Sequence, residues 1–431
     1  MDVVVPSEES APARPPLARR AVFWLTIYLG TLAALGPLAI DMYLPAFPRI
    51  AAAFGVAIPD VQKTLACYFV GLAFGQLIYG PITDRVGRKV PLYFGLSIFA
   101  LTSAGCALAW SVGSLAVLRL LQALGGCAEM VISRAIVRDL FDDKQSAKVF
   151  SSLMLVMGLA PILAPLVGGA LASHFGWASI FWLLTFAGLA ALLSTALFFR
   201  ESLPAERRIR QSPGDVARTY WFLLRHREFM LQALTVGIAM AGLFAYVGGS
   251  PLVFEKIFGI DERHFGLYFG PIACGIIGMS QVNGFLAGRY DIRKVLRVAL
   301  CIQAVDGVIM VFDVTTGFGG FWGVYLPLWT FVAAMGFIFP NTTVLAMSPH
   351  ARIAGNASAV LGFMQFGISA LGGMIVSAWQ NHQATPSSMP MAGTIAISAV
   401  AALGLNLLTH SPVTYPSATE EAEDALIVAE H

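Results

Sequence analysis

The sequence is a succession of long apolar runs separated by short charged segments. A membrane-spanning helix needs about 20 mostly apolar residues, and twelve runs of that length occur, six in residues 21–199 and six in residues 229–410. Because lipid offers no partner to backbone N–H and C=O groups, such runs must be helical. The sequence therefore predicts an all-α polytopic membrane protein with twelve transmembrane helices in two pseudo-symmetric six-helix bundles.

The composition excludes an ordinary soluble protein. Charged residues make up 12% of the chain, about half of their usual share. The five cysteines show no metal-ligand spacing, and the sequence holds no H-E-x-x-H, Walker or G-x-S-x-G signature. An intramembrane hydrolase would need a Ser/His pair or metal ligands within a span, and a sensor would need a signalling domain. We expect no catalytic residue, no metal site, no cofactor and no nucleic-acid partner.

The positions of Lys and Arg predict the orientation. Most of the 27 lie on the side that holds both termini, and the opposite loops hold only Arg49, Lys63, Lys256 and Arg263. Cytoplasmic loops are enriched in these residues, so both ends are predicted to be cytoplasmic. The remaining segments are then a basic tail (1–20), a cytoplasmic linker (200–228) and an acidic tail (411–431).

The two halves repeat each other weakly. A shift of about 205 residues carries Pro45 near Pro251 and Gly168-Gly169 near Gly372-Gly373. The same shift brings the charged stretch at 80–89 onto residues 284–294, which lack its Asp-Arg core. Related halves are common in secondary transporters.

The most compact charge cluster is Gly80–Lys89, between the second and third apolar runs. It predicts a tight hairpin at the cytoplasmic interface, where the charges pin the topology. Asp84 is four residues from Arg88, and we hypothesise that Arg88 also reaches Asp139. The hypothesis makes this region a conformational latch built from Gly80, Asp84, Arg85, Gly87, Arg88, Arg138 and Asp139.

Ionisable groups within spans are costly and mark candidate functional sites. Asp41 and Arg119 lie roughly 6 and 8 Å from the outer ends of the first and fourth spans, from the helical rise. They could therefore pair across a shared cavity, although Asp41 could instead cap its helix end. Glu129 could face the cavity or pair locally with Arg134. We interpret Asp306 as a structural hydrogen-bonding group.

The fifth span holds Pro161, Pro165 and Gly168-Gly169. Proline removes backbone hydrogen bonds and bends a helix, and small residues permit close helix packing. This pattern predicts a bent helix at the boundary between the halves.

These motifs resemble those of the major facilitator superfamily. Gly80–Lys89 is similar to its signature loop, Arg119–Gly126 to its fourth-helix motif and Pro161–Gly169 to its antiporter motif. More narrowly, three segments resemble the Bcr/CflA group of bicyclomycin and chloramphenicol exporters: Ile40–Pro45, Arg134–Asp139 and Phe339–Asn341.

The resemblance implies a proton-coupled antiporter that exports small amphipathic drugs, of the amphenicol or bicyclomycin type, by alternating access. The resemblance implies that Asp41 and Arg119 matter for coupling, and the proton gradient would replace any cofactor. Glu129, which the pattern of the group does not require, is a further candidate because it could attract protons or cationic substrates. The protein would lie in the bacterial inner membrane as a monomer. The alternative is an exporter of an endogenous metabolite, with incidental drug efflux.

Overall fold

The computed structural model describes residues 19–141, 143–208, 211–287 and 289–409. The acidic tail (411–431) and nearly all of the basic tail (1–20) lie outside these ranges. The α-helices of the described chain are α1 Arg19–Asp41, α2 Phe47–Phe54, α3 Ile58–Val86, α4 Lys89–Ala107, α5 Val112–Leu140, α6 Asp143–Phe175, α7 Ala178–Phe198, α8 Pro213–Arg225, α9 Arg227–Pro251, α10 Phe265–Leu286, α11 Ile292–Thr316, α12 Gly320–Met347, α13 Ala354–Asn381 and α14 Met389–Leu407.

Within the described ranges, twelve helical segments are long and apolar enough to cross a membrane. The prediction of twelve spans in an all-α fold is confirmed. The short helix α2 continues the first span on its outer side, after a 3₁₀ turn at Leu44–Ala46, and it ends at Gly55 in the left-handed conformation (φ 65°).

Helices α1–α7 form the N half and α9–α14 form the C half. The halves meet along two seams, one between α3 and α13 and the other between α6 and α10. One hydrophobic cluster fills the N half and extends into the outer part of the C half. A second cluster fills the inner part of the C half.

The linker between the halves contains helix α8. Ser212 caps it in a reciprocal box with Asp215, and Pro213 occupies its first turn, a favourable start for a helix. Leu223 of α8 is buried in the C-half cluster together with Phe229. Helix α8 therefore packs as part of the C half.

Candidate functional site

Arg119 lies fully buried in the N half, enclosed by aromatic rings. Its guanidinium carbon is 4.1 Å from the ring centre of Tyr68 and 4.7 Å from that of Tyr43. Nη1 donates to Gln122 Oε1 at 2.6 Å, whereas Nε and Nη2 have no acceptor in the described chain. Because arginine keeps its charge in proteins, these rings and one amide surround a permanent cation.

Asp41 is the last residue of α1 and is 7% exposed. Among the described residues, the structure shows neither a hydrogen bond to its carboxyl group nor an ion pair with Arg119. The expected Asp41–Arg119 pairing is therefore absent here, since the rings of Tyr43 and Tyr68 pack against the guanidinium instead. The negative end of the α1 dipole also disfavours an anion at this position.

Glu129 joins α5 to α1. Its Oε1 accepts a hydrogen bond from the backbone N–H of Gly36 at 3.2 Å, and its Oε2 is buried with no partner in the described chain. A Cβ at Gly36 would lie 3.3 Å from Oε1, so a glycine lets the carboxyl group approach the α1 backbone. Of the two interpretations of Glu129, pairing with Arg134 is wrong for this structure, because no such ion pair occurs among the described residues.

Arg88 is the centre of the charged hairpin. Its Nη1 lies 2.6 Å from Asp84 Oδ1 and its Nε lies 2.9 Å from Asp139 Oδ2. Nη1 also donates to Thr83 Oγ1 at 3.0 Å. Buried ion pairs are stable when further hydrogen bonds satisfy them, and Ser202 Oγ donates to Asp139 Oδ2 at 3.1 Å. The contacts hypothesised between Arg88 and both carboxylates are present.

Glu201 completes this network from the start of the linker. It accepts hydrogen bonds from the backbone N–H groups of Arg88 (2.9 Å), Lys89 (3.1 Å) and Leu203 (3.0 Å). Partial burial by itself raises the pKa of Glu201, but the three backbone donors outweigh it, and the pKa is lowered. The carboxylate thus sits at the N-terminus of α4, where the helix dipole favours a negative charge.

Gly87 makes this capping possible. Its φ is 104°, a conformation that side chains disfavour. A Cβ at this position would also lie 2.5 Å from Glu201 Oε2. Two independent constraints therefore require glycine between α3 and α4.

The other hairpin residues have different roles. Arg85 is exposed, and Gly80 faces Ala359 of α13 across the seam. Arg138 forms no ion pair with Asp84 or Asp139 among the described residues. It lines a cavity instead, so its predicted place in the charge network is wrong.

The sequence profile of the Major Facilitator Superfamily matches residues 29–377. The chain belongs to this superfamily. It is 38% identical to the uncharacterized MFS-type transporter YdgK of Bacillus subtilis, over 87% of this chain and 92% of that protein. It is 32% identical to a bicyclomycin resistance protein homolog of Haemophilus influenzae, over 89% of this chain and 96% of that protein.

A solved structure of the same superfamily fold is the D-xylose-proton symporter. It superposes with a TM-score of 0.71 at 14% identity, covering 91% of this chain and 98% of that one. The chain is accordingly a multi-pass membrane transporter and not an enzyme.

The antiporter-type run of this superfamily member lies in α6, at the outer end of the seam with the C half. A Cβ at Gly168 would collide with the backbone carbonyl of Met42, and one at Gly169 with that of Glu262 in the C half. Pro161 and Pro165 lie in the same helix. The glycine pair therefore lets α6 touch both the end of α1 and the opposite half.

Polar contacts close the outer side between the halves. Arg49 makes a bidentate ion pair with Glu262, with N···O distances of 2.5–2.9 Å. Ser377 Oγ donates to the carbonyl of Pro59 at 2.6 Å, and Gln62 Nε2 donates to that of Gly373 at 3.2 Å. These bonds join N-half and C-half residues directly.

On the inner side, one hydrogen bond from a tyrosine hydroxyl joins the two halves. Tyr220 of α8 donates its O–H to the carbonyl of Leu77 in α3 at 2.9 Å. In an uninterrupted helix this carbonyl would accept from residue 81, but Pro81 has no N–H to donate. The tyrosine hydroxyl therefore satisfies a carbonyl that the proline leaves without its helical donor.

Sequence reasoning did not identify Gly36, Glu201, Ser202 or Tyr220. Two signals were available. A Gly36-Pro37 pair interrupts the first span, and Glu201-Ser202 follow directly after the sixth. Neither signal specifies the partner, because both partners come from helices distant in sequence.

Proposed function

We propose that this transporter is a proton-coupled antiporter that exports small amphipathic drugs by alternating access. The observation that carries the proposal is the pair of N-half carboxyl groups, Asp41 and Glu129. Both are buried at membrane depth, and neither has an ion-pair partner among the described residues. The free-energy cost of burial at such positions is high for a charged carboxylate and low for a neutral carboxylic acid. Gaining or losing a proton therefore changes the stability of this arrangement of helices.

Arg119 supports the same proposal as a fixed positive charge. Two of its guanidinium nitrogens have no acceptor in the described chain. They can therefore form an ion pair with a deprotonated carboxylate when the helices shift. A cycle follows in which protonation of the carboxyl group and its attraction to Arg119 compete. Substrate binding between the halves would favour one of these arrangements.

The seams support alternating access. The outer contacts, which include Arg49–Glu262, join side chains and backbone groups of opposite halves. They can all break when the two facing surfaces move apart. The inner hairpin network around Arg88 lies within the N half and its linker. Rocking of the halves would break the outer contacts while this network holds the inner end of the N half together.

The drug class is supported by the relative from Haemophilus influenzae, which is described as a bicyclomycin resistance protein homolog. Few charges line the described interior, and aromatic pairs such as Phe69–Phe244 join the halves with ring centres 4.1 Å apart. Such surroundings suit apolar or weakly charged molecules. We place the protein in the bacterial inner membrane as a monomer with both termini cytoplasmic.

The test is transport into inverted membrane vesicles with an imposed pH gradient. We expect chloramphenicol or a fluorescent dye to accumulate when the vesicle interior is acidic, because protons leaving the vesicle drive the substrate in. Collapsing the gradient with a protonophore should stop accumulation. Accumulation that continues unchanged after collapse would disprove proton coupling, and no accumulation under either condition would disprove export of these compounds.

A further inference from the structure

A cavity of about 240 Å³ opens at the inner end of the seam between α3 and α13. Its volume corresponds to roughly eight water molecules at about 30 Å³ each, which is enough for a phosphate or carboxylate group with some water. The wall is formed by both halves: Gln76, Gly80, Thr83, Asp84 and Arg88 at the hairpin side, Val131, Arg134, Ala135 and Arg138 from α5, and Gly355, Ser358 and Ala359 from α13.

Two arginines in this wall lack an ion-pair partner among the described residues. Arg134 and Arg138 are four residues apart and therefore on one face of α5. Neither forms an ion pair or a side-chain hydrogen bond within the described chain. The third arginine, Arg88, is already held by Asp84 and Asp139.

The charges around the cavity do not balance. Among the lining residues, three guanidinium groups face one carboxylate, that of Asp84, and Arg88 already engages this carboxylate. The opposite wall adds the N-terminus of α13, which has no side-chain cap and no acidic residue in its first turn. This end carries partial positive charge, and one oxygen of Asp84 faces it at Gly355. The cavity thus has a surplus of positive charge.

Orientation in the membrane does not explain this arrangement. Cations at the cytoplasmic interface suffice to set topology, and they need not line the same cavity. Like charges at i and i+4 destabilise a helix, and a bound anion would remove that cost. Arginine pairs are well suited to oxyanions, since each guanidinium offers parallel N–H donors.

We propose that Arg134 and Arg138 form a binding site for an oxyanion, either phosphate or carboxylate. The group would come from a soluble anion in the cytoplasm or from the headgroup of an inner-leaflet lipid. It would touch α5 of the N half and approach Ser358 and the N-terminus of α13 of the C half. The proposal stands apart from drug export, because its readout is binding to the protein alone.

The experiment measures thermal unfolding of the purified full-length protein in nanodiscs. Inorganic phosphate is titrated into discs of zwitterionic lipid, with chloride at equal ionic strength as the salt control. A second series replaces part of the lipid with phosphatidylglycerol and omits phosphate. The variants are Arg134→Gln and Arg138→Gln, with Arg289→Gln as the matched control, since Arg289 lies on the cytoplasmic hairpin of the C half over Phe285.

We expect a saturable rise in the unfolding temperature for the wild type and for Arg289→Gln. Each cavity variant should bind about tenfold more weakly or worse, as expected for losing a charge-assisted hydrogen bond. A rise with phosphate identifies a soluble anion as the source, and a rise only with phosphatidylglycerol identifies the lipid headgroup. Equal rises in the wild type and the cavity variants, or no rise with either probe, would overturn the proposal.

Arg134→Lys serves if a glutamine variant does not fold. It keeps the charge but not the paired donors, so we expect intermediate binding. Binding equal to that of the wild type would show that Arg134 contributes only general charge and would overturn its assignment to the site.

Discussion

The two halves have the same arrangement of six spans but differ in the charged groups that they bury. The N half buries Asp41, Arg119 and Glu129 and holds Arg88 between two carboxylates. The C half buries two carboxyl groups, those of Asp306 and Asp313, but no arginine or lysine among its described residues, and two amides pair in its interior. Asn341 Nδ2 donates to Asn283 Oδ1 at 2.8 Å.

The hairpin between α3 and α4 and its counterpart between α10 and α11 show the same contrast. In the N half, the chain around Gly87 is bound by ion pairs and by the Glu201 cap. In the C half, Arg289 lies over the ring of Phe285 at 4.0 Å, and Asp291 accepts a hydrogen bond from the N–H of Arg293 to begin α11. The N-half hairpin is therefore held by a network that joins α3, α5 and the start of the linker, whereas the C-half hairpin is held by local contacts. The comparison indicates that the two halves share a helical plan, whereas the buried arginines and the ion-pair network lie in the N half, where we propose that proton coupling takes place.

The strongest test of this comparison is Asp41→Asn. Asparagine keeps the size of the side chain but cannot exchange a proton, so we expect gradient-driven export in inverted vesicles to fall to background. The variant should still reach the membrane, which a blot of the membrane fraction checks. Export at the wild-type rate would remove Asp41 from the mechanism.

Glu129→Gln should have the next largest effect. The amide oxygen can still accept the N–H of Gly36, so the contact between α1 and α5 should survive, while the exchangeable proton is lost. We expect export to fall roughly tenfold or more, equivalent to about 1.4 kcal/mol. If Glu129 only supports packing, Glu129→Gln would transport normally and Gly36→Ala, which crowds the carboxyl group, would be the damaging change.

Glu201→Gln tests the hairpin network. Removing the negative charge weakens the cap of α4, and we expect a several-fold loss of transport with an unchanged substrate spectrum. Asp84→Asn should behave in the same way, because it removes one of the two partners of Arg88. Comparing resistance to several drugs checks both variants, and a selective change for one drug would contradict a purely conformational role.

Tyr220→Phe removes one hydrogen bond between the halves, worth about 1 kcal/mol, and should change the rate of export by fivefold at most. The decisive comparison is a double-mutant cycle with Pro81→Ala. Alanine gives the carbonyl of Leu77 its helical donor back, so Tyr220→Phe should then have a smaller effect. Equal effects of Tyr220→Phe in both backgrounds would show that the Leu77 contact is irrelevant.

Asp306→Asn should have the smallest effect, within about twofold of the wild type. Asp306 lies in α11 of the C half, and its buried Oδ2 has no partner in the described chain. It is thus the matched control for Asp41→Asn, since both substitutions neutralise a buried carboxyl group. A loss of coupling in Asp306→Asn would show that the C half also exchanges protons and would end the distinction between the halves.

The sequence predicted the spans well because their signal is local. Apolar length alone defines a spanning helix, and the i,i+4 spacing of Asp84 and Arg88 already implies contact on one helical face. Helix rise gave the depths of Asp41 and Arg119 but not the direction in which each side chain points. This structure therefore does not show the pairing that their depths allow.

The remaining site depends on how helices pack against each other. The aromatic box of Arg119 is formed by Tyr43 from the turn after α1, Tyr68 from α3 and Phe181 from α7. The Glu129–Gly36 contact depends on the rotation of α1 and α5 about their axes. Patterns within a single helix carry no information on either arrangement.

The anchoring of Glu201 and Ser202 has a mechanical consequence. These residues fasten the start of the linker to the N half, while α8, beginning at Pro213, packs with the C half. About ten residues of chain connect these anchors to α8, and even a fully extended chain of that length spans roughly 35 Å at most. This covalent connection sets an upper limit on the distance between the inner ends of the two halves. In the proposed alternating-access cycle, the range of motion is then limited by the length of this connection as well as by the contacts that break.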